Sequence, residues 1–222
     1  MHQYSHFVDG KQSDLPLGKI VCVGRNYAAH TRELNNPLPT SPVLFIKPST
    51  ALAAIDSEII VPTALGECHF ETEMSLLIGK KLINCGEDEA ARAIKGVGLS
   101  LDLTLRDIQQ DLKDKGLPWE KAKAFDGACP SSAFVSRAQL GDLQNQQIRL
   151  YKNGQIQQDG NTSDMVNPVL SLLAYISQFF TLLPGDIVLT GTPSGVGPLQ
   201  VGDKLVLELS DAIHCKGEVV SA

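Results

Sequence analysis

Seven short apolar runs divide the sequence, and their length constrains the fold more than any other feature. They are "KIVCVG" (19–24), "VLFIK" (43–47), "EIIVP" (58–62), "VGLSLDLTL" (97–105), "IRLYK" (148–152), "DIVLTG" (186–191) and "DKLVLEL" (203–209). Runs this short, rich in Val, Ile and Leu and broken by Gly, Pro or Asp, predict strands rather than helices. "YKNGQIQ" sets Asn153-Gly154 between two such arms, the pattern of a tight type I′ hairpin. Helical patterns are fewer: "RNYAAHTRELNN" (25–36), "GEDEAARAI" (86–94), "RDIQQDLKDKG" (106–116) and "PVLSLLAYISQFF" (168–180). The second carries acids in its first turn, as a helix dipole prefers. The last opens with Pro at a first helical position and is apolar enough to be buried. The expectation is one β-rich α+β domain over residues 19–222, preceded by an N-terminal extension, residues 1–18, that fits no pattern.

Composition narrows the function. The chain has 222 residues, 43% of them hydrophobic, which is enough for a sizeable core. A net charge of −6 with scattered Lys and Arg argues against nucleic acid as a partner. No apolar run reaches the roughly 18 residues of a membrane span. "MHQYSHFVDGKQSDL" has no apolar signal core, and its two acids suit a transit peptide poorly, so a cytoplasmic location is expected. Five cysteines, odd in number, widely spaced and without a C-x-x-C, predict free thiols rather than a disulfide framework or a zinc cluster.

Three acids are the first candidates for chemistry, although Glu71 and Glu73 could also stand hydrated on a solvent-facing strand. In "HFETEMSLLIG" (69–79), strand alternation sets Glu71 and Glu73 on one side, roughly 7 Å apart at Cα. Like charges that close need water or a cation between them, and the apolar "MSLLIG" that follows carries the strand into the core. Asp102 lies inside "VGLSLDLTL", where a lone buried carboxylate would cost several kcal/mol. Either a basic partner such as Arg106 neutralises Asp102, or Asp102 shares a cation with Glu71 and Glu73. An all-oxygen set of three suits a hard divalent ion, Mg²⁺ or Mn²⁺, and leaves about three positions for water or substrate. His69 shares the parity of the two glutamates and is expected to be structural, not a ligand. "TGTPSGVG" (190–197) lacks the Lys-Ser/Thr ending of a phosphate loop and has Pro193 at its centre, so nucleotide binding is not expected.

Several of these motifs, in this order, resemble the fumarylacetoacetate hydrolase superfamily. They are "VGRNYAAHTRELNN", "PVLFIKPST", "CHFETEMSLLIG", "GVGLSLDLTLRDIQ", "PWEKAKAFDGACP" and "LLPGDIVLTGTPSGVGP". The likeness spans roughly residues 19–207 and is nearest to the short single-domain branch of acylpyruvate hydrolases and their relatives. It implies a mixed β-sheet roll with a few short helices around a metal-centred pocket, in a homodimer. It also implies that Glu71, Glu73 and Asp102 bind the metal, Mg²⁺ or Mn²⁺.

The family's substrates are 2-oxo acids whose carboxylate and oxo oxygens chelate the ion. His30 and Glu33 are spaced i, i+3 on one helix face. The resemblance makes them a water-activating base and its orienting partner, on a short helix that closes over the substrate. It gives Lys123 the role of stabilising negative charge, with Lys121 as its neighbour if the segment is a strand. Arg25, Gln109 and Thr192 are the expected polar contacts to substrate. The expected activity is cleavage of the C–C bond of acylpyruvates such as acetylpyruvate or fumarylpyruvate. The alternatives use the same metal–enolate chemistry: oxaloacetate decarboxylation, oxaloacetate keto–enol tautomerisation, and isomerisation or decarboxylation of a 2-hydroxyhepta-2,4-diene-1,7-dioate type of substrate.

Overall fold

A computed structural model describes residues 4–33, 39–56 and 58–222 of the chain. The apolar runs pair into two large mixed sheets. The first has seven strands in the order Val43–Lys47, Ile20–Gly24, Ile187–Leu189, Thr72–Ile78, Ile94–Leu101, Cys129–Ser131 and Leu52–Ala54. Two of its neighbouring pairs are parallel and the others antiparallel. The second runs Gln155–Asn161, Gln147–Lys152, Lys204–Leu209, Ile213–Ser221 and Glu58–Val61. Its middle strands lie against Thr72–Ile78 and Ile94–Leu101, so the centre of the first sheet is covered. This explains why every residue of Thr72–Ile78 is buried, polar ones included. The helices Glu87–Ala93 and Val169–Phe179 pack together outside the sheets. Among the described residues no helix is long and apolar enough to cross a membrane.

Two expected strands are interrupted, and both interruptions matter. Thr72 pairs with Leu101 in the seven-stranded sheet, whereas His69 pairs with Thr104 in a separate three-stranded one. Glu71 and Asp102-Leu103 lie between, and the Asp102 N–H donates to the Glu71 carbonyl at 2.8 Å. The paired chains thus leave one sheet and enter the next together. The runs 69–79 and 97–105 are each two strands joined at an acid.

Other boundaries shift for local reasons. The first helix begins at Ala28 rather than at residue 25, because Arg25 takes a left-handed φ of 61°, and it is described as far as Glu33. Residues 34–36 lie outside the described residues. "EKAKAFD" is not a strand: Glu120–Lys123 forms one helical turn whose N–H groups return to Trp119 O. Lys121 and Lys123 therefore face opposite ways, and only Lys123 is buried. Asn153 and Gly154 both have positive φ, as a type I′ turn requires. In the N-terminal segment, Phe7–Val8 and Lys11–Gln12 form a small ribbon whose backbone bonds to Phe134, and His6 is buried with its Nε2 3.2 Å from Gly185 O. All five cysteines are free thiols.

The loop 190–197 is held against the strand Gln155–Asn161 by close backbone approach. Gly195 has φ 96°, and a Cβ there would stand 1.9 Å from Gln157 O. Gly195→Ala is expected to lower stability by about 3 kcal/mol or more, read as a lower urea midpoint at unchanged m-value.

Candidate metal centre and active site

The sheet corner aims three carboxylates at one point. Glu71 and Asp102 project from the break itself, and Glu73 stands two residues into the buried strand. Each offers an oxygen within 4.8 Å of the other two, and all three residues are buried. Burying three acids is costly, so their partners show how the site is built. Arg106 Nη2 donates to Glu71 Oε1 at 2.7 Å. Lys123 Nζ bridges Glu71 Oε2 at 2.9 Å and Asp102 Oδ2 at 2.6 Å. Arg106, a candidate partner of Asp102 on sequence grounds, thus pairs with Glu71 instead. Asp102 is served by Lys123 and by Lys47, whose Nζ lies 2.8 Å from Oδ1.

Lys47 is a site residue that the sequence reading passed over. It is 0% exposed. Its three protons go to the carbonyls of Leu103 (3.3 Å), Ala128 (3.0 Å) and Lys123. The contact with Asp102 Oδ1 is therefore an ion pair without a hydrogen bond, and Oδ1 remains a buried acceptor with none. One signal was available: strand parity puts Lys47 on the same face as Phe45, which lines the pocket.

Glu73, though buried, is the least balanced member of this set of charges. Its Oε2 accepts from the Gly191 N–H at 2.5 Å, and among the described residues no cation pairs with it. Burial first, then the Asp102 and Glu71 charges, push its carboxyl well above the ordinary carboxylate range. Burial would raise Glu71 as well, but Lys123, Arg106 and His30 outweigh it and hold that carboxyl low. Burial would likewise lower the Lys123 pKa, but Asp102 and Glu71 outweigh it and keep the ammonium charged. A third acid without a cation and a buried carboxylate oxygen without a hydrogen bond fit a divalent ion, and the all-oxygen set suits Mg²⁺ or Mn²⁺ over zinc.

The remaining candidates surround the same pocket. It is lined by His30, Arg25, Gln109, Thr192 and Lys123 together with the three acids, Phe45, Arg106, Lys113 and Trp119. His30 is buried, and its Nδ1 lies 3.1 Å from Glu33 Oε2. Glu33 Oε1 accepts from Gly195 N–H at 2.9 Å, so this pair ties the short helix to the 190–197 loop. Gln109 Oε1 accepts from Arg106 Nη1 at 2.8 Å, which leaves its amide N–H groups as donors. Thr192 Oγ1 accepts from Gln158 Nε2 at 2.8 Å, so its own proton is free to be donated. His69 stands apart, with Nε2 2.7 Å from Glu67.

The metal assignment predicts a thermal shift. At Mn²⁺ a hundredfold above its dissociation constant, the wild-type fold should gain about 2.7 kcal/mol. Asp102→Asn should abolish that gain. Glu73→Gln should also abolish it while leaving the metal-free protein at least as stable as wild type, because it removes a carboxyl whose ionisation burial and the Asp102 and Glu71 charges oppose. Differential scanning calorimetry with and without Mn²⁺ checks both variants.

The sequence profile of the family described as fumarylacetoacetate (FAA) hydrolase, C-terminal, matches residues 19–220. Oxaloacetate tautomerase YcgM of Escherichia coli K12 is 49% identical over 208 residues, covering 93% of this chain and 94% of that protein. The human mitochondrial oxaloacetate tautomerase FAHD1 is 44% identical over 186 residues, 84% of each chain. Among solved structures, the fumarylpyruvate hydrolase of Pseudomonas aeruginosa, in complex with Mn²⁺ and pyruvate, superposes with a TM-score of 0.93 at 32% identity. That match covers 99% of this chain and 96% of the other. With a profile match over nearly the whole chain and these relatives, the protein belongs to the fumarylacetoacetate hydrolase family.

Proposed function

We propose that the protein is a divalent-metal-dependent oxaloacetate tautomerase that interconverts the keto and enol forms. The observation that carries this choice is the 49% identity, over nine-tenths of both chains, to a protein called oxaloacetate tautomerase. Charge favours it too. Three carboxylates meet three contacting cations, Lys47, Arg106 and Lys123, so a divalent ion would leave the centre with a charge of about +2, matched to a dicarboxylate.

Glu71, Glu73 and Asp102 would hold Mg²⁺ or Mn²⁺. The ion would supply positive charge beside the 2-oxo acid group, which favours loss of the neighbouring C3 proton. Tautomerisation moves one proton from C3 to the C2 oxygen and neither adds nor removes atoms. It therefore needs a base but no attacking water. With Nδ1–H donated to Glu33, His30 keeps a lone pair on Nε2 and is the base that takes and returns this proton. Lys123 stays charged against Glu71 and Asp102 and fixes both. Gln109 and Thr192 each retain a donor for substrate oxygens, and Arg25 presents a guanidinium suited to a carboxylate.

Acylpyruvate hydrolysis is the second reading. It would use the same His30–Glu33 pair to activate a water, and the resemblance to a fumarylpyruvate hydrolase favours it. Metal-stripped protein resupplied with Mg²⁺ or Mn²⁺ separates the two. Faster keto–enol relaxation of oxaloacetate without pyruvate release supports the tautomerase. Pyruvate from acetylpyruvate or fumarylpyruvate supports the hydrolase, and pyruvate from oxaloacetate indicates a decarboxylase.

His30→Gln should slow tautomerisation by about 10²- to 10⁴-fold and leave the Mn²⁺ dissociation constant within a few-fold. Glu33→Gln should cost less, because it disturbs the imidazole's orientation without removing it. Parallel loss of metal binding in His30→Gln would show that His30 is not the base.

A further inference from the structure

Helix Arg106–Asp114 carries Arg106, Gln109 and Lys113 at i, i+3 and i+7, one stripe along its axis. All three line the pocket. Arg106 stands at the end touching Glu71, and Lys113 is two turns further, about 10 Å along the axis. The far end of the pocket is built differently from the metal end. Lys113 Nζ lies 5.6 Å from the centre of the Trp119 ring, which in turn stands 6.0 Å from Phe45.

Among the described residues the Lys113 ammonium makes no ion pair or hydrogen bond, whereas Lys123, the other lysine lining the pocket, pairs with Glu71 and Asp102. Burial first, then the nearby charges of Arg106, Arg25 and Lys123, disfavour its charged form and outweigh the Glu71 carboxylate, which favours it. Arg106 Nε is a buried donor with no acceptor among the described residues. Cations gathered on one side of a pocket, with donors left over, call for an anion that the described residues do not provide.

We propose that Lys113, backed by Trp119, binds the distal carboxylate of a 2-oxo dicarboxylic acid and so selects dianionic substrates over 2-oxo acids with an uncharged tail. The inference rests on the reading that the 2-oxo acid end of the substrate lies at Glu71, Glu73 and Asp102. A planar aromatic wall keeps the ammonium directed across the pocket and partly desolvated, which strengthens its pairing with a carboxylate. Lys113 thus determines specificity and does not handle the proton.

The test compares oxaloacetate with 2-oxobutyrate, four-carbon 2-oxo acids that differ in a terminal carboxylate against a methyl. Trp119 is the chain's only tryptophan, so its fluorescence reports binding to the Mg²⁺-loaded protein in a stopped-flow instrument, independently of turnover. Wild type should prefer oxaloacetate. Lys113→Met should weaken oxaloacetate binding roughly 10- to 100-fold and leave 2-oxobutyrate within threefold. Lys113→Arg should keep most of the preference. In steady state, KM for oxaloacetate should rise in the Met variant with kcat nearly unchanged.

Equal weakening of both ligands, or unchanged oxaloacetate binding in Lys113→Met, would overturn the proposal. A wild-type protein that binds oxaloacetate through Lys113 yet does not speed its tautomerisation would retire the tautomerase reading and leave the subsite standing.

Discussion

The hydrogen bond from Asp102 N–H to Glu71 O is the point on which the site depends. It joins two chains at the residue where both abandon one sheet for another. In an uninterrupted strand pair, side chains alternate across the sheet and acids on neighbouring strands face the same packed layer. The break turns Glu71 and Asp102 out of both sheets, while Glu73, two residues into regular strand, still reaches them. A metal-type triad is assembled from two local chain segments with no long loop, and the ligands inherit the rigidity of the core.

That placement has an energetic consequence. Three acids, Lys47, Lys123 and Arg106 share one buried region, and replacing such networks with apolar side chains often stabilises a fold. What retains them is the work a charged, dry pocket can do, since field strength rises as water is excluded. Lys47 shows how the cost is limited. Its protons serve three backbone carbonyls from separate segments, so it neutralises Asp102 and also fastens the Asp102 corner to the Lys123 turn.

Much of this was legible in the sequence, and the parts that were not share a cause. "VLFIK" forms its strand at 43–47, and Asn153-Gly154 makes the hairpin, because both are decided by local chemistry. The acids stood out since a carboxylate in an apolar run demands a partner. Which partner was not legible: Arg106 is nearest to Asp102 in sequence, yet a helix start turns it towards Glu71. Lys47 reaches Asp102 across 55 residues of chain, a contact that only sheet order creates. The Lys121–Lys123 pair misled because alternation over four residues does not distinguish a strand from one helical turn. The sheet change at Glu71 left no local trace, since its flanks are strand-like on both sides.

Activity was harder to read than the site for a chemical reason. Hydrolysis, decarboxylation and tautomerisation of 2-oxo acids all begin by stabilising negative charge next to the oxo group, so all three favour the same acids, cations and base. They diverge in what lies beyond that centre. A hydrolase must admit and aim a water at a second carbonyl, whereas a tautomerase must keep water away from C3 and hold the rest of the substrate still. On the proposed reading, the discriminating residues lie at the far end of the pocket, on the second half of helix Arg106–Asp114 and on the aromatic wall of Phe45 and Trp119. No single motif marks that region, because it is made by a helical stripe meeting a strand and a loop. Its composition, cationic and aromatic with a lysine that has no acceptor among the described residues, suits a fixed, charged substrate tail better than a passage for water.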